Sequence, residues 1–128
     1  MAKFYLLLGS INALLVIIIG AFGSHGLKAK LTVDNMAIYH TAVQYHFYHA
    51  VGLMLVGLIA WHIPNSNYLR WSAWLMVMGI VLFCGSLYTL SITNIRWLGM
   101  ITPFGGIAFI AGWIMMILAF VQPSTKKI

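Results

Sequence analysis

Acidic side chains are almost absent from this sequence. Asp34 is the one carboxylate residue among 128, against seven Lys and Arg residues, and charged residues make up 6% of the chain. Roughly a quarter to a third of the residues on the surface of a small soluble domain are charged. The charged fraction of this chain is too low for such a water-exposed surface. The shortage also removes the carboxylate pair or Ser–His–acid set that hydrolysis uses. We therefore expect no catalysis by this chain.

Cysteine and clustered positive charge are scarce as well. Cys84 is the sole cysteine and lies inside an apolar run, which excludes an intrachain disulfide. The formal charge of +6 arises from the missing acids, and the Lys and Arg residues are scattered beside apolar stretches. This pattern indicates anchoring at a membrane interface and argues against a nucleic-acid partner.

Apolar residues are what the sequence has in plenty, at 62%, and they form four long stretches. A spanning helix needs about 20 residues because the hydrocarbon layer is about 30 Å thick. We predict helices at about residues 4–22, 38–61, 71–92 and 98–121. Runs of this length lack the polar alternation of a barrel wall. The sequence therefore predicts a single all-α domain, a four-helix transmembrane bundle with antiparallel up-down connectivity.

The ends of these stretches carry further signals. Lys3 and the apolar residues after it resemble a signal peptide, but the apolar core is longer than a signal core, so we interpret it as a retained helix. Thr32 or Asp34 is expected to cap the second helix. Four crossings place both termini on one side of the membrane. The basic residues divide four to three, with Lys3, Arg70, Lys126 and Lys127 on the terminal side and Lys28, Lys30 and Arg96 opposite. This bias favours cytoplasmic termini.

The second stretch is unusual because its uninterrupted apolar part, residues 50–61, is too short to cross a bilayer. Twelve residues rise only about 18 Å at about 1.5 Å per residue. The helix must therefore carry residues 42–49 into the membrane as well. These include Gln44, Tyr45, His46, Tyr48 and His49. Polar groups at that depth are expected to face protein or a water-filled cavity.

Connectivity brings the polar ends of all four stretches into one leaflet. The first ends there with Gly23-Ser24-His25, the third ends with residues 84–91, and the fourth begins with residues 99–106. We predict a one-sided polar pocket in that leaflet. Its candidate ligand-binding residues are His25, Gln44, Tyr45, His49, Tyr88 and Thr102. Hydroxyl, amide and imidazole groups suit a small polar group, a lipid headgroup or a partner helix.

Several blocks of the sequence resemble a known family of small membrane proteins. They are residues 20–27 (Gly-Ala-Phe-Gly-Ser-His-Gly-Leu), 41–50 (Thr-Ala-Val-Gln-Tyr-His-Phe-Tyr-His-Ala), 85–88, 96–99, 102–106 and 112–113. The chain is similar here to domain of unknown function four-two-three, a family that includes the animal transmembrane protein two-five-six. The resemblance implies a multi-helix bacterial inner-membrane or mitochondrial protein, without a defined activity. His46 departs from it, because the family looks more like glutamine at that position.

Three functions remain open at this point. The preferred one is a non-catalytic accessory or ligand-binding protein, whose partners are membrane lipids, a membrane protein or a second copy. A small transporter or channel would use the same pocket as its vestibule, although no acid lies deep in the membrane to couple it. A metal or haem carrier would use His25 and His49, with His46 or Cys84 as a third metal ligand. The sequence names no cofactor, and the glycines of the third and fourth stretches are interpreted as sites of close helix packing.

Overall fold

The computed structural model describes residues 1–122, most of which lie in four helices. We number them α1 (Ala2–Leu27), α2 (Val33–His62), α3 (Asn67–Thr93) and α4 (Arg96–Val121), and each is long and apolar enough to span a membrane. Short connections join them in sequence, so neighbouring helices run in opposite directions. The predicted four-helix transmembrane bundle is confirmed.

The helices extend beyond the predicted apolar stretches, and at the start of α2 a side-chain cap sets the boundary. The Thr32 side chain accepts a hydrogen bond from the Asn35 backbone N–H at 3.1 Å, so α2 starts at Val33 rather than near residue 38. Of the two predicted caps, Thr32 is therefore the one used. Asp34 lies in the first turn of α2, where a negative charge interacts favourably with the helix dipole.

Two of the helices contain wide turns that the sequence did not predict. The last turn of α1, Gly23–Leu27, is π-helical, and so is Ile80–Cys84 in the middle of α3. A π-helical turn closes hydrogen bonds from residue i to i+5, which shifts the face presented by the residues that follow. The helix α4 opens instead with a tight 3₁₀ turn, Arg96–Met100, before its α-helical part.

Glycines set the close packing of α1 on α2 and of α3 on α4. A Cβ atom on Gly9 would lie 2.8 Å from the Ala50 carbonyl oxygen, and one on Gly105 would collide with the Phe83 backbone. Gly112 lies tightly against the Ser72 carbonyl. The packing interpretation is thus confirmed for Gly105 and Gly112. It is wrong for Gly85, Gly99 and Gly106, where a Cβ would meet only ordinary contacts at 3.6–3.9 Å.

Apolar and polar interiors occupy different halves of the bundle. The half that contains the termini has the larger apolar core, built by Tyr5, Leu53, Val56, Ala60, Leu69, Ala73, Met76, Met116 and Ala119. Toward the other end, the apolar core shrinks to Ala42, Cys84 and Phe109. Buried histidines and hydroxyl groups fill the rest of that half, which is where the sequence predicted a polar cluster.

Candidate functional site

His46 lies at the centre of the buried polar cluster and connects three helices. Its Nε2 is 3.0 Å from Asn12 Oδ1 on α1, and its Nδ1 is 3.0 Å from the Tyr88 hydroxyl on α3. The Asn12 amide nitrogen donates to the Leu8 carbonyl at 2.9 Å, which leaves Oδ1 to face His46 as an acceptor. Nε2–H therefore donates to Asn12, while Nδ1 accepts the proton of Tyr88.

His49 is held in the opposite tautomer one turn further along α2. Its Nδ1 donates to the Tyr45 carbonyl at 2.7 Å, and its Nε2 accepts from the Trp113 indole N–H at 3.0 Å. Because an indole nitrogen only donates, Nε2 carries no proton and the ring is neutral. The Phe109 ring stacks on the imidazole, with centroids 3.5 Å apart and planes 10° from parallel.

Hydroxyl groups make further hydrogen bonds between helices in this half of the bundle. Ser86 on α3 and Thr102 on α4 share a hydrogen bond of 2.6 Å. Tyr39 crosses the end of α1 to donate to the Ile19 carbonyl at 2.6 Å, in space that only a glycine at position 23 leaves open. Every buried side-chain nitrogen or oxygen within residues 1–122 has a hydrogen-bond partner.

These bonds define what the interior can do chemically. The one unprotonated nitrogen of each buried histidine already accepts a hydrogen bond, so a metal ion or haem would have to displace Tyr88 or Trp113. The series of hydrogen bonds from Tyr88 through His46 ends at the Asn12 amide, and an amide does not relay a proton. Among residues 1–122, no three His, Cys, Asp or Glu side chains lie close enough to share a metal ion.

The six residues predicted to line one pocket occupy three different places. His49, Tyr88 and Thr102 belong to the interior, each in a separate hydrogen-bonded contact. Tyr45 is 38% exposed and packs its ring on Phe83, with centroids 4.7 Å apart. His25 and Gln44 lie on the outer surface. The structure therefore separates the outward-facing members of the set from the interior ones.

An apolar groove runs along the outer surface between α1 and α2. It has a volume of about 300 Å³ and is lined by Val16, Ile17, Gly20, Ala21, Val43 and Phe47. A Cβ on Gly20 would lie 3.4 Å from Val43 Cγ1, so this glycine makes room for the groove without a backbone contact. The exposed His40 precedes Val43 by three residues and lies on the same face of α2. Two exposed residues follow the groove along the chain: His25 in the last turn of α1, and Lys28 directly after that helix.

The same end of the bundle is tied together by Asn35, which is buried. Its side-chain amide nitrogen donates to Asn94 Oδ1 at 3.2 Å, and its Oδ1 accepts from the Arg96 guanidinium at 3.2 Å. Asn94 ends α3 in the left-handed conformation, with φ of 61°, which asparagine tolerates well. These contacts fix the start of α2 against the turn between α3 and α4.

Comparison with known proteins places the chain among its relatives. The family model described as "Protein of unknown function (DUF423)" matches residues 19–106, which include all six predicted pocket residues. The chain belongs to this family. A UPF0382 membrane protein of Bacillus subtilis, YwdK, is 50% identical over 120 residues, which cover 94% of this chain and 98% of the relative.

Other members of the family are similar over nearly their whole length. UPF0382 membrane proteins of Staphylococcus epidermidis and Staphylococcus aureus are 44% and 42% identical, and in each case the match covers 91% of this chain and 94% of the relative. No solved structure matches the chain. The relatives are named as membrane proteins, which agrees with the four spanning helices, and their names state no activity.

Sequence reasoning missed several residues that build the cluster. His46 is not among the six predicted pocket residues, yet it is the residue that joins α1, α2 and α3. Asn12 and Trp113 are also absent from the predicted set, although both bond to the buried histidines. The signal that identifies Asn12 is its type: an amide in the middle of an apolar span needs a buried partner.

Proposed function

We propose that this protein is a non-catalytic lipid-binding protein of the bacterial inner membrane. Its ligand is an anionic phospholipid, one acyl chain of which lies in the groove between α1 and α2. The observation that carries the proposal is that groove: an apolar, outward-open space at membrane depth with exposed basic and imidazole side chains beyond one end of it.

The lining of the groove supports an acyl chain as its occupant. Its six residues present only carbon atoms of side chains, apart from the backbone at Gly20. A hydrocarbon chain gains many small dispersion contacts in such a space, whereas a polar solute would lose its hydrogen bonds. The groove opens toward lipid, so a chain can enter from the side of the protein.

The charge around the groove supports an anionic headgroup. His25, Lys28 and His40 are exposed and lie toward the end of the groove where α1 finishes. The chain carries a formal charge of +6 with one acidic residue, so little opposes a phosphate there. A lysine such as Lys28 near the surface of an anionic membrane contributes about 1 kcal/mol to the attraction, and the two imidazoles can donate hydrogen bonds to a phosphate.

The buried cluster gives less support to transport or to cofactor binding. His46 and His49 engage both ring nitrogens with protein groups. Three of these four bonds join one helix to another, which suits a structural role. The predicted ligand-binding role of His25 is retained in the proposal, at the surface rather than inside the bundle.

The test is lipid retention by the purified protein in detergent, measured by native mass spectrometry after exchange into defined mixtures. We expect retention of phosphatidylglycerol in preference to phosphatidylcholine. Ala21→Phe fills the groove and should reduce phosphatidylglycerol retention about tenfold, equivalent to about 1.4 kcal/mol. The matched change Ala37→Phe, at an exposed position of α2 that does not line the groove, should leave retention unchanged.

A second variant separates the headgroup from the acyl chain. Lys28→Gln should lower the preference for phosphatidylglycerol over phosphatidylcholine while leaving total lipid retention similar. Equal retention of lipid by the wild type and by Ala21→Phe would contradict the proposal. So would a wild type that retains both lipids equally.

A further inference from the structure

Gln44 is the most unusual outward-facing residue of the bundle. At about 100° per residue, its position on α2 lies opposite the buried face that carries Tyr39, His46 and Leu53. It is exposed, and its amide nitrogen donates to the Tyr48 hydroxyl at 2.7 Å. That hydrogen bond is the one its side chain makes within residues 1–122.

The ends of α2 show how deep this amide lies. Asn35 meets Arg96 at one end, and Trp61 is exposed at the other. The roughly 26 residues between Asn35 and Trp61 rise about 39 Å, so a hydrocarbon layer of about 30 Å centred on them has its midplane near Tyr48. Gln44 then lies about 6 Å from the midplane and about 9 Å inside the nearer boundary.

An amide at this depth needs a protein partner. Its oxygen accepts up to two hydrogen bonds and its nitrogen donates two, and one of these four is used. Acyl chains supply none, and a lipid headgroup remains near the boundary. Glutamine side chains in spanning helices typically hydrogen-bond across to another helix.

We propose that α2 pairs with α2 of a second copy of this chain, with Gln44 bonded to its counterpart across the two-fold axis. An amide is self-complementary because it both donates and accepts, which is what a two-fold symmetric interface requires of a residue on its axis. Two copies with the same membrane orientation bring their α2 helices together in parallel.

The outer face of α2 has the spacing that such a pair needs. Residues separated alternately by four and three positions lie along one line and form the seam of a left-handed helix pair. The seam consists of Gln44, Tyr48, Val51, Leu55 and Leu58, all of which are exposed. Apart from the Tyr48 hydroxyl, which already accepts from Gln44 of its own helix, Gln44 is the polar group of this seam, and such a residue fixes the register of the two helices. The groove of the proposed function lies beside this seam, between α1 and α2, and the dimer does not depend on it.

The first test measures self-association in liposomes by energy transfer between labelled copies. Gln44→Leu keeps the side-chain size and removes the hydrogen bonds. The dissociation constant of the dimer should rise about 5- to 30-fold, because an interhelical amide contact contributes about 1–2 kcal/mol. Gln44→Asn, which keeps an amide, should retain part of the association. Helix content by circular dichroism checks that each variant is folded.

Thr89→Val is the matched control. Thr89 is also polar and exposed, but it lies on α3 and its hydroxyl donates to the Gly85 carbonyl of its own helix at 2.8 Å. Its replacement should leave the dissociation constant unchanged. A monomeric wild type would overturn the proposal. So would a Gln44→Leu protein that associates as tightly as the wild type, which would point to a lipid or an unrelated helix as the partner of Gln44.

The second test is disulfide cross-linking in native membranes. With Cys84→Ala as the background, Leu55→Cys places a thiol on the seam and Ile114→Cys places one on the exposed face of α4. An oxidant should link two copies through position 55 and not through position 114. Equal cross-linking at both positions would contradict pairing through α2.

Discussion

At the scale of single residues, the interior of this bundle is governed by hydrogen bonds whose direction is fixed by their partners. His49 shows this clearly, because a donor that cannot accept lies on one side of its ring and an acceptor that cannot donate lies on the other. Such a residue is difficult to replace with an apolar one. The Trp113 indole N–H would be left without a partner inside the protein.

We therefore expect His49→Leu to lower the free energy of unfolding by about 1–3 kcal/mol, the cost of an unpaired buried polar group. His62→Leu is the control, since His62 is exposed at the end of α2 and bonds only to the Leu58 carbonyl of its own helix. It should change stability little. Unfolding in mixed detergent micelles, followed by circular dichroism, makes the comparison. Equal effects of the two changes would show that the buried contact contributes nothing.

Adjacent glycines in α4 give a second prediction at this scale. Gly105→Ala places a methyl group against the Phe83 backbone, which cannot move without separating α3 from α4. Overpacking of this kind costs about 1–3 kcal/mol. Gly106→Ala meets only the Phe83 ring at 3.8 Å, and the helix preference for alanine is worth up to about 1 kcal/mol. Thermal unfolding should show opposite signs for the two variants, and identical shifts would refute the packing argument.

At the scale of the helices, α2 is the element that the others are arranged around. It packs on α1 and α3 along its length and contacts Trp113 of α4 through His49. Its polar half was predicted from the sequence because an apolar run of twelve residues is too short to span. The wide turns in α1 and α3 were not predicted, since Gly23–Leu27 and Ile80–Cys84 have the hydropathy of ordinary helix.

The glutamine that the family resemblance implies at position 46 suggests a comparison that tests the connection between helices. Leucine at this position should cost about 1–3 kcal/mol, because Asn12 and Tyr88 both lose a buried partner. His46→Gln should cost clearly less, since a glutamine amide also offers both a donor group and an acceptor group. Detergent-induced unfolding of the two variants compares their losses of unfolding free energy. If glutamine proves as damaging as leucine, the hydrogen bonds of His46 are not what stabilises the contact.

At the scale of the whole molecule, composition alone was sufficient for the fold class. A chain with one acid and four long apolar stretches has few alternatives to a helical bundle in a membrane. Which surface each polar residue faces was harder to predict. His25 and Gln44 were placed with the interior residues because sequence spacing gives a depth in the membrane and not the direction toward a neighbouring helix.

Orientation in the membrane is the prediction that belongs to this scale. The sequence-predicted excess of Lys and Arg on the terminal side favours cytoplasmic termini, and it counts Lys126 and Lys127, which lie outside the described residues. In a Cys84→Ala background, Lys30→Cys should react with a membrane-impermeant maleimide in intact cells, because residue 30 lies in the connection between α1 and α2. Lys3→Cys should react only after the cells are permeabilised. The reverse pattern would place the termini outside.

The buried histidines of α2 take hydrogen bonds from α3 and α4, and this has a consequence for folding during synthesis. When α1 and α2 have been synthesised and have left the translocon, Asn12 can already hold His46, but two imidazole nitrogens still lack donors. These donors, the hydroxyl of Tyr88 and the indole of Trp113, arrive only with the second half of the polypeptide. Completion of synthesis is thus coupled to docking of the two halves. A product truncated before the third helix would retain unpaired polar groups within the bilayer, where each costs free energy because lipid offers no hydrogen bonds.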